Sequence, residues 1–317
     1  MTRFFQARRL AVGMVTGLAL LAGGLLTAPA MAADQSGQLE SGGRLRTYAV
    51  HVPGRAAPPA GFPLVLAFHG GGMQGEGMRR LSRLDAVADA RGFIVVYPDG
   101  VDRHWNDGRS TIRNPQDDVA FIAALLDRLA QGRQVDRQRI YATGLSNGAL
   151  FAQRLACDLS ARIAAIAPVA GTLPADLAPA CKPVRPVAVL QVAGTADPIM
   201  PFEGGKVADF GGRGEGGEVL AAAASAAFWA RANGCGALGA QQPMAPIAPL
   251  DRTRVLKASY AGCPAGAAVT LVTIAGGGHA WPGGPQYARP IVIGQASRQL
   301  DASAAIADFF LAQPAAR

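Results

Sequence analysis

The pentapeptide Gly-Leu-Ser-Asn-Gly at residues 144–148 is the part of this sequence whose residue types and spacing most directly suggest chemistry. A β-rich run, residues 140–143, precedes it, and a helix-compatible segment, residues 149–156, follows it. The G-x-S-x-G spacing on a sharp turn from strand to helix is typical of a nucleophile elbow, which holds a serine hydroxyl exposed on a strained backbone. The sequence therefore predicts that Ser146 is the nucleophile of an acyl-transfer reaction.

A serine nucleophile needs a base within hydrogen-bond reach and a carboxylate that orients the base. Of the four histidines, His51, His69 and His104 precede Ser146, and His279 follows it in a glycine-rich segment just past a predicted buried strand. In one recurrent chain order the nucleophile comes first, the acid second and the base third. This order favours His279 as the base over a histidine that merely lies in a surface loop.

Asp197 is the carboxylate predicted to orient His279, because it directly follows the buried strand predicted for residues 187–192. The other acidic residues between Ser146 and His279 follow no buried strand as closely, and most fit a solvated loop position. These are Asp176, Glu203, Asp209, Glu215, Glu218 and Asp251.

The tetrahedral intermediate of acyl transfer carries an oxyanion, which two fixed backbone amides stabilise by roughly 3 kcal/mol apiece. One donor is expected to be the amide of Asn147, directly after the nucleophile. The second is expected from the His-Gly-Gly-Gly segment at residues 69–72, a pattern that supplies such a donor in lipases and esterases, and Gly71 is our choice within it. Since this pattern accounts for His69, we do not expect His69 to be a second base.

The four cysteines are expected to form two disulfides, because their number is even and the chain begins with an export-type segment. Three pairings are possible. The sequence-local one, Cys157 with Cys181 and Cys235 with Cys263, would close loops worth roughly 3 kcal/mol each. A zinc site is the alternative, but the sequence has no C-x-x-C pair and no histidine near these cysteines.

Residues 1–33 have the pattern of a cleaved signal peptide. Three arginines (Arg3, Arg8 and Arg9) precede an apolar run at residues 10–26, and small residues at 30–33 provide a cleavage site. A membrane anchor is the alternative, but no stop-transfer cluster follows the apolar run. Residues 34–317 then form one predicted catalytic domain, and a secreted or periplasmic location with no stable membrane anchor is expected.

The charge of the chain is only mildly basic. Removal of the leader takes three of the 30 basic residues and none of the 22 acidic ones, which leaves a net charge of +5. No basic cluster is interleaved with aromatic residues, so a nucleic-acid partner is not expected. Residues 212–217 fit G-x-G-x-x-G but follow no buried strand, and no metal-ligand spacing is present, so neither a cofactor nor a metal is expected.

The hydrophobic pattern predicts strands that alternate with helices, which favours an α/β fold with a mostly parallel sheet and helices on both faces. Residues 34–43 are expected to be a flexible start, and residues 204–217, with seven glycines, a mobile loop that is a plain connection rather than a lid. Predicted strands cover residues 46–52 (an edge strand), 63–68, 93–97, 163–169, 186–192, 254–260 and 268–274. Predicted helices cover residues 79–90, a segment from 114, 149–156, 218–232 and 301–311.

With these residues in place, the sequence resembles the α/β-hydrolase fold, and more narrowly the secreted poly(3-hydroxybutyrate) depolymerase and feruloyl esterase-like branch. The resemblance spans nearly all of residues 34–317, and the cysteines also lie where that branch places its own. The motifs that carry it are Phe68-His69-Gly70-Gly71, Tyr97-Pro98-Asp99-Gly100, Trp105-Asn106, Asp117-Asp118-Val119, Gly144-Leu145-Ser146-Asn147-Gly148, Gly194-Thr195-Ala196-Asp197-Pro198 and Gly278-His279-Ala280-Trp281-Pro282.

The resemblance implies a serine carboxylic ester hydrolase that acts on small ester or oligoester substrates, either short-chain hydroxyalkanoate or feruloyl and aryl esters. An acyltransferase or a peptidase with the same triad is an alternative, as is a non-catalytic binding protein on a hydrolase scaffold. Trp105 and Trp281 are expected to line the substrate cleft, with a purely structural role as an equally open alternative for Trp105. Polymer depolymerases of this branch usually carry a linker and a substrate-binding domain, and neither is evident in the sequence, so poor attack on crystalline polyester is expected.

Overall fold

A ten-stranded sheet forms the centre of the described part of the chain, in the order β1-β2-β4-β3-β5-β6-β7-β12-β11-β10. The computed structural model describes residues 1–2, 32–132, 135–209 and 215–314. The strands are β1 (Ala33–Ser41), β2 (Arg44–Val52), β3 (Phe62–Phe68), β4 (Ile94–Pro98), β5 (Val135–Leu145), β6 (Ala165–Val169), β7 (Ala188–Gly194), β8 (Gly205–Lys206), β9 (Glu218–Val219), β10 (Gln242–Pro243), β11 (Arg254–Ser259) and β12 (Val269–Ala275). Strands β8 and β9 form a separate two-stranded sheet.

The six central strands, β4-β3-β5-β6-β7-β12, are mutually parallel, and the outer strands at both edges pair antiparallel. The helices are α1 (Gly75–Ser82), α2 (Leu84–Arg91), α3 (Asp118–Gly132), α4 (Asn147–Asp158), α5 (Ala222–Ala232), α6 (Pro290–Ile293) and α7 (Ala302–Leu311). A 3-10 turn lies at Val101–Arg103. The predicted α/β class with a mostly parallel sheet is confirmed.

The sheet has a hydrophobic core on each face because successive side chains of a strand point to opposite sides. In β3, Leu64 and Leu66 belong to one buried cluster, and Val65 and Ala67 belong to the other. The first cluster takes buried side chains from α3, α4 and α5, and the second takes them from α1, α2 and α7. Because both faces are covered, the strand is apolar along its whole length, as the sequence predicted.

Residues 34–43 are not the flexible start that the sequence predicted. Strand β1 pairs antiparallel with β2 over its whole length, from Ala33 opposite Val52 to Ser41 opposite Arg44. The two-residue turn between them, Gly42-Gly43, has positive φ angles of 59° and 70°, as a tight hairpin requires. Strand β2 is therefore not an edge strand. Main-chain hydrogen bonds to β2 hold the polar strand β1. Because its side chains show no apolar alternation, the sequence did not reveal it as a strand.

Two helix predictions also need correction. The helix predicted for residues 79–90 is interrupted by Arg83, whose φ of 53° lies in the left-handed region between α1 and α2. The break lets apolar side chains from both helices, among them Leu81 and Leu84, reach the same core cluster. The helix predicted from residue 218 begins only with α5, because residues 218–219 are the strand β9.

Helix α3 begins at Asp118, three residues later than the sequence predicted with Asn114 as the cap and Pro115 as the first helical residue. Asp117 performs the capping, since its side chain accepts a hydrogen bond of 3.0 Å from the Ala120 amide. The Asn114 side chain instead donates to Asp102 at 2.6 Å and joins this loop to the 3-10 turn.

Two disulfides fasten the loops around this core. Cys157 in α4 is joined to Cys181, and Cys235 to Cys263. This is the sequence-local pairing considered above. The predicted leader, residues 1–33, lies outside the described residues apart from its two ends. Among the helices that the structure describes, none has the length and apolar character needed to cross a membrane.

Candidate active site

The predicted site residues lie at one edge of the sheet, because parallel strands end on the same side. Gly71 follows β3, Ser146 follows β5, Asp197 follows β7 and His279 follows β12. Strands β7 and β12 are paired neighbours, and their pairing runs up to Gly194 opposite Ile274. The fold therefore places Asp197 and His279 on adjacent loops, although 82 residues separate them in the chain.

The serine lies on the strained turn that the pentapeptide predicted. Ser146 has φ 57° and ψ −124°, which is an uncommon backbone conformation for a residue with a side chain. The turn is so tight that a Cβ on Gly144 would lie 2.5 Å from the Gly148 carbonyl oxygen. A Cβ on Gly148 would lie 2.5 Å from the carbonyl oxygens of Phe68 and His69. Both glycines are therefore required by close backbone approach, and the strain at Ser146 is held by its surroundings.

His279 and Asp197 form a buried hydrogen-bonded pair. The distance from His279 Nδ1 to Asp197 Oδ2 is 2.8 Å, and the two side chains are 4% and 1% exposed. The other carboxylate oxygen of Asp197 accepts hydrogen bonds of 2.8 Å from the amides of Ile199 and Met200. The acid is thus fixed by its own loop, and its second oxygen is left to orient the imidazole.

The backbone of His279 is held on both sides. Its amide donates to the Ile293 carbonyl at 2.5 Å, and its carbonyl accepts a hydrogen bond of 2.8 Å from the Tyr287 hydroxyl. Burial raises the pKa of Tyr287, so this hydroxyl stays protonated and remains a donor. The Nε2 atom of His279 makes no hydrogen bond to another residue in the described part of the chain. It remains available on a ring that lines the same cleft as Ser146.

The two residues whose amides the sequence predicted as oxyanion donors, Gly71 and Asn147, both line the cleft. The Asn147 amide is the first N–H of α4, where an amide has no partner within its own helix. Gly71 lies beside it, since a Cβ built on Gly71 would be 3.8 Å from the Asn147 Cβ and 2.8 Å from His104 Nε2. Glycine at this position therefore leaves room for the imidazole of His104, which also lines the cleft.

His69 lies below this loop and does not face the cleft. Its ring is fully buried, with Nδ1 2.9 Å from the Gly70 carbonyl, and its Nε2 accepts a hydrogen bond of 3.0 Å from the Gly100 amide. Burial lowers the pKa of His69 to about 4, so the ring is neutral at physiological pH. These contacts fit a structural role in shaping the glycine loop rather than a role as base.

The cleft above Ser146 has a volume of about 350 Å³. Its walls are mostly apolar, and the charged side chains among its described lining residues are Arg109 and Glu215. Val207, Ala208 and Glu215 come from the described parts of the 204–217 segment, so this segment contributes a wall and is more than a plain connection. The apolar lining side chains larger than alanine are Met73, Leu145, Ile199, Met200, Val207 and Ile293.

The prediction that Trp105 and Trp281 line the cleft is wrong. Trp105 is fully buried beneath it and stacks on Phe151, with ring centroids 5.0 Å apart. Trp281 is 1% exposed, and its indole N–H donates to the Ser303 hydroxyl at 3.0 Å on the other side of the loop. Residues 279–280 form a bend rather than a strand, so the rule that residues two apart share one face of a strand does not hold here, and closeness to His279 in sequence did not place Trp281 in the cleft.

Sequence reasoning missed the polar wall of the cleft. Arg109, Glu215 and Tyr287 line it together with Ser146, yet none belongs to a recognisable motif. Arg109 lies two residues after Asp107, and this short Asp-Gly-Arg spacing next to the Trp105-Asn106 motif was the one signal in the sequence that could have drawn attention to it.

One group of possible metal ligands occurs in the described part of the chain, outside the motifs named above. It consists of Asp34, His51 and Asp85, whose ligand atoms lie within 4.8 Å of one another. The Arg79 guanidinium, however, contacts both Asp34 and Asp85 at 2.5 Å. Arg79 therefore supplies the positive charge that these carboxylates need, and we assign no metal to them.

Comparison with known families gives evidence that is separate from the site geometry. The family model described as esterase PHB depolymerase matches residues 46–204, which contain the glycine loop, the elbow and Asp197. The chain belongs to this esterase family. As a member of it, the protein is a carboxylic ester hydrolase of the α/β-hydrolase fold.

Individual relatives of this esterase agree. NocK, a provisionally named esterase of Nocardia uniformis subsp. tsuyamanensis, is 36% identical over 277 residues, which cover 85% of this chain and 80% of NocK. Feruloyl esterase B of Piromyces equi is 31% identical over 239 residues, which cover 70% of this chain and 41% of that enzyme. The esterase thus matches less than half of the length of feruloyl esterase B. The solved acetyl xylan esterase from Aspergillus awamori shares the fold, with a TM-score of 0.53, 15% identity, and coverage of 78% of this chain and 94% of that one.

Proposed function

We propose that this esterase hydrolyses carboxylic esters with Ser146 as nucleophile, His279 as base and Asp197 as the residue that orients the base. The observation that carries the proposal is the buried His279–Asp197 hydrogen bond of 2.8 Å on a ring that shares a cleft with the strained Ser146. Membership of the family shows ester hydrolysis in general. The three residues and their roles are our own assignment.

In the proposed reaction, the Ser146 Oγ attacks the ester carbonyl carbon while its proton passes to His279 Nε2. Asp197 accepts the Nδ1–H of His279, which keeps Nε2 free to accept this proton and stabilises the imidazolium. The amides of Asn147 and Gly71 donate to the oxyanion. When the intermediate collapses, the alcohol leaves with the proton from His279. Water then attacks the acyl-enzyme with the same base and releases the acid.

The size and polarity of the cleft favour small substrates. A volume of about 350 Å³ lies at the lower end of ligand pockets in general, and most of the wall is apolar. We therefore propose short-chain hydroxyalkanoate esters of the 3-hydroxybutyrate type, or feruloyl and other aryl esters, as the substrate class. The similarity to feruloyl esterase B supports the second group.

A panel of substrates separates these groups. Aryl esters of graded acyl length, methyl ferulate and soluble hydroxybutyrate oligomers are compared by kcat/KM, with crystalline polyester granules as a further arm. We expect the soluble esters to be turned over and the granules to react poorly. Equal rates on trimers and granules at the same ester content would contradict the small-substrate proposal.

The nucleophile is tested independently of the substrate. A fluorophosphonate probe should label the wild-type protein at Ser146, as identified by peptide mass spectrometry, and should leave Ser146→Ala unlabelled. An unlabelled wild type would indicate a non-catalytic binding protein. Transfer of the acyl group to an added alcohol in preference to water would indicate an acyltransferase, and amide cleavage would indicate a peptidase.

We also propose that the protein is exported, with residues 1–33 removed as a signal peptide. The two disulfides support this location, because such bonds persist in oxidising compartments. Amino-terminal sequencing of the protein recovered from periplasm or medium checks the proposal. A mature protein that still begins at residue 1, or native exported protein with four titratable thiols, would contradict it.

A further inference from the structure

A buried ion pair at the wall of the cleft has no part in the proposed triad. Asp107 is fully buried and Arg109 is 5% exposed. The Arg109 guanidinium donates from Nη2 to Asp107 Oδ2 at 2.7 Å and from Nε to Asp107 Oδ1 at 3.0 Å. The Arg109 amide also donates to Asp107 Oδ1 at 3.1 Å. The two side chains are therefore locked to each other.

Asp107 also holds the residue that follows the nucleophile. The Asn147 Nδ2 donates to Asp107 Oδ2 at 2.7 Å and to the Trp105 carbonyl at 3.0 Å. The Asn147 Oδ1 accepts a hydrogen bond of 2.8 Å from the Trp105 amide. Three hydrogen bonds thus fix the Asn147 side chain, and with it the orientation of the peptide whose N–H is the proposed oxyanion donor.

Arg109 extends the same connection to the wall of the cleft. Its Nη1 donates to the Gly216 carbonyl, and the side chain itself lines the cleft beside Glu215. One continuous set of contacts therefore runs from the wall at Gly216 through Arg109 and Asp107 to Asn147, directly behind Ser146.

The energetics of buried charge favour a positioning role over a purely stabilising one. Taking two ions out of water costs several kcal/mol each, and apolar residues of similar volume often serve stability as well or better. A fully hydrogen-bonded buried ion pair is, however, directional, and it fixes the groups around it. Here the group fixed is the oxyanion donor, whose placement within a few tenths of an ångström governs the rate.

We infer that Asp107 and Arg109 are positioning residues of the ester hydrolysis: through the Asn147 side chain they hold the Asn147 amide where the oxyanion develops, and they fix the wall at Gly216. This inference rests on the proposed function of Ser146 and Asn147. It assigns these residues no direct contact with the reacting atoms.

The decisive variant is Asn147→Ala, which keeps the backbone amide but removes the side chain that Asp107 holds. We expect kcat to fall about 10-fold to 100-fold while KM changes less than about threefold, because the loss occurs in the transition state. Asp107→Asn should act in the same direction. The double variant should be no worse than the more affected single variant, since both changes break one connection.

A second readout separates positioning from mere folding. An aryl boronic acid forms a tetrahedral adduct with the serine and places an oxygen in the oxyanion hole. In Asn147→Ala and Asp107→Asn, the Ki of this inhibitor should therefore rise by the same factor by which kcat/KM falls.

The matched control is Asp136→Asn. Asp136 is also a buried aspartate paired with an arginine, Arg139, at 2.6 Å, but it lies at the opposite end of β5. This control should lower Tm and leave kcat and Ki unchanged.

The outcomes distinguish an error in the proposed function from an error in the positioning role of Asp107 and Arg109. If the fluorophosphonate probe fails to label wild-type Ser146, the proposed function is wrong. If wild type is labelled and active while Asn147→Ala retains wild-type kcat and Ki, the positioning role is wrong. The same conclusion follows if Asp136→Asn lowers kcat as much as Asp107→Asn does. Should Asp107→Asn fail to fold, Asn147→Ala carries the test, because it leaves the ion pair intact.

Discussion

Two histidines of this esterase each form a hydrogen bond with an aspartate but differ in their surroundings. His279 Nδ1 lies 2.8 Å from an oxygen of Asp197, and His51 Nδ1 lies 2.8 Å from an oxygen of Asp34. Both imidazoles are buried, with side chains that are 4% and 7% exposed. A histidine paired with an aspartate is therefore not by itself the mark of a catalytic base.

The difference lies in the second ring nitrogen and in the carboxylate. His51 Nε2 lies 3.0 Å from an oxygen of Asp89, so both of its nitrogens are occupied, and the Asp34 side chain is 56% exposed. His279 has its Nε2 available in a cleft shared with Ser146, and the Asp197 side chain is 1% exposed. A histidine–aspartate pair can serve as a base when one nitrogen is fixed and the other faces a nucleophile.

The largest effect that would sharpen this comparison is expected from the triad itself. Ser146→Ala and His279→Ala should each lower kcat by on the order of 10⁴-fold or more, because the members of a triad act as a unit. His51→Gln is the matched control and should keep wild-type turnover. Steady-state kinetics on an aryl ester measure all three. Wild-type activity in His279→Ala would show that the base has been assigned wrongly.

A somewhat smaller loss, about 10⁴-fold in kcat at most, is expected for Asp197→Asn. The asparagine amide would donate to Nδ1 and thereby place the ring proton on Nε2, where it prevents the ring from accepting the serine proton. Asp34→Asn makes the same chemical change beside His51 and should leave kcat unaltered. Equal effects of the two substitutions would mean that the two histidine–aspartate pairs do not differ in the way proposed.

The side of the cleft that we propose to be the oxyanion hole should show an intermediate effect. A methyl group on Gly71 would lie 2.8 Å from His104 Nε2, so Gly71→Ala must displace either that ring or the donor amide. We expect kcat to fall about 10-fold to 100-fold. His104→Ala in the same chain makes room for the methyl group and should restore most of the loss. If the double variant is as slow as Gly71→Ala, the steric account is wrong.

The sequence predicted those features that local chemistry determines. The elbow at Ser146 needs two glycines because of backbone contacts within a few residues, and Asp197 and His279 each follow a buried strand directly. The contacts around His51 were not predicted, because they join β1, β2 and α2, and the polar β1 carries no apolar pattern. Pairing between distant segments decides such contacts.

The side chains that line the cleft could likewise not be predicted from the sequence. Trp105 and Trp281 adjoin motif residues, yet their side chains point into the two cores. Arg109 and Tyr287 reach the cleft from loops that the sheet order alone brings together. The direction of a side chain in an irregular loop depends on what packs against it, and neither periodicity nor spacing encodes that.

The smallest effect concerns stability and its dependence on pH at His51. Burial lowers the pKa of His51, but hydrogen bonds to Asp34 and Asp89 outweigh it, so the pKa is raised above its ordinary value in the folded protein. Asp85 and the Arg79 guanidinium also face this group. The protonated ring therefore contributes stability that is complete below the unfolded pKa of about 6.5 and is lost as pH rises through the folded value.

His51→Gln should lower Tm by about 2 °C near pH 5.5, the shift that roughly 1 kcal/mol produces in a domain of this size. The difference from wild type should shrink at alkaline pH, and scanning calorimetry between these limits measures it. A difference that grows with pH would show that His51 is neutral in the folded protein and that the hydrogen bonds to Asp34 and Asp89 do not outweigh its burial.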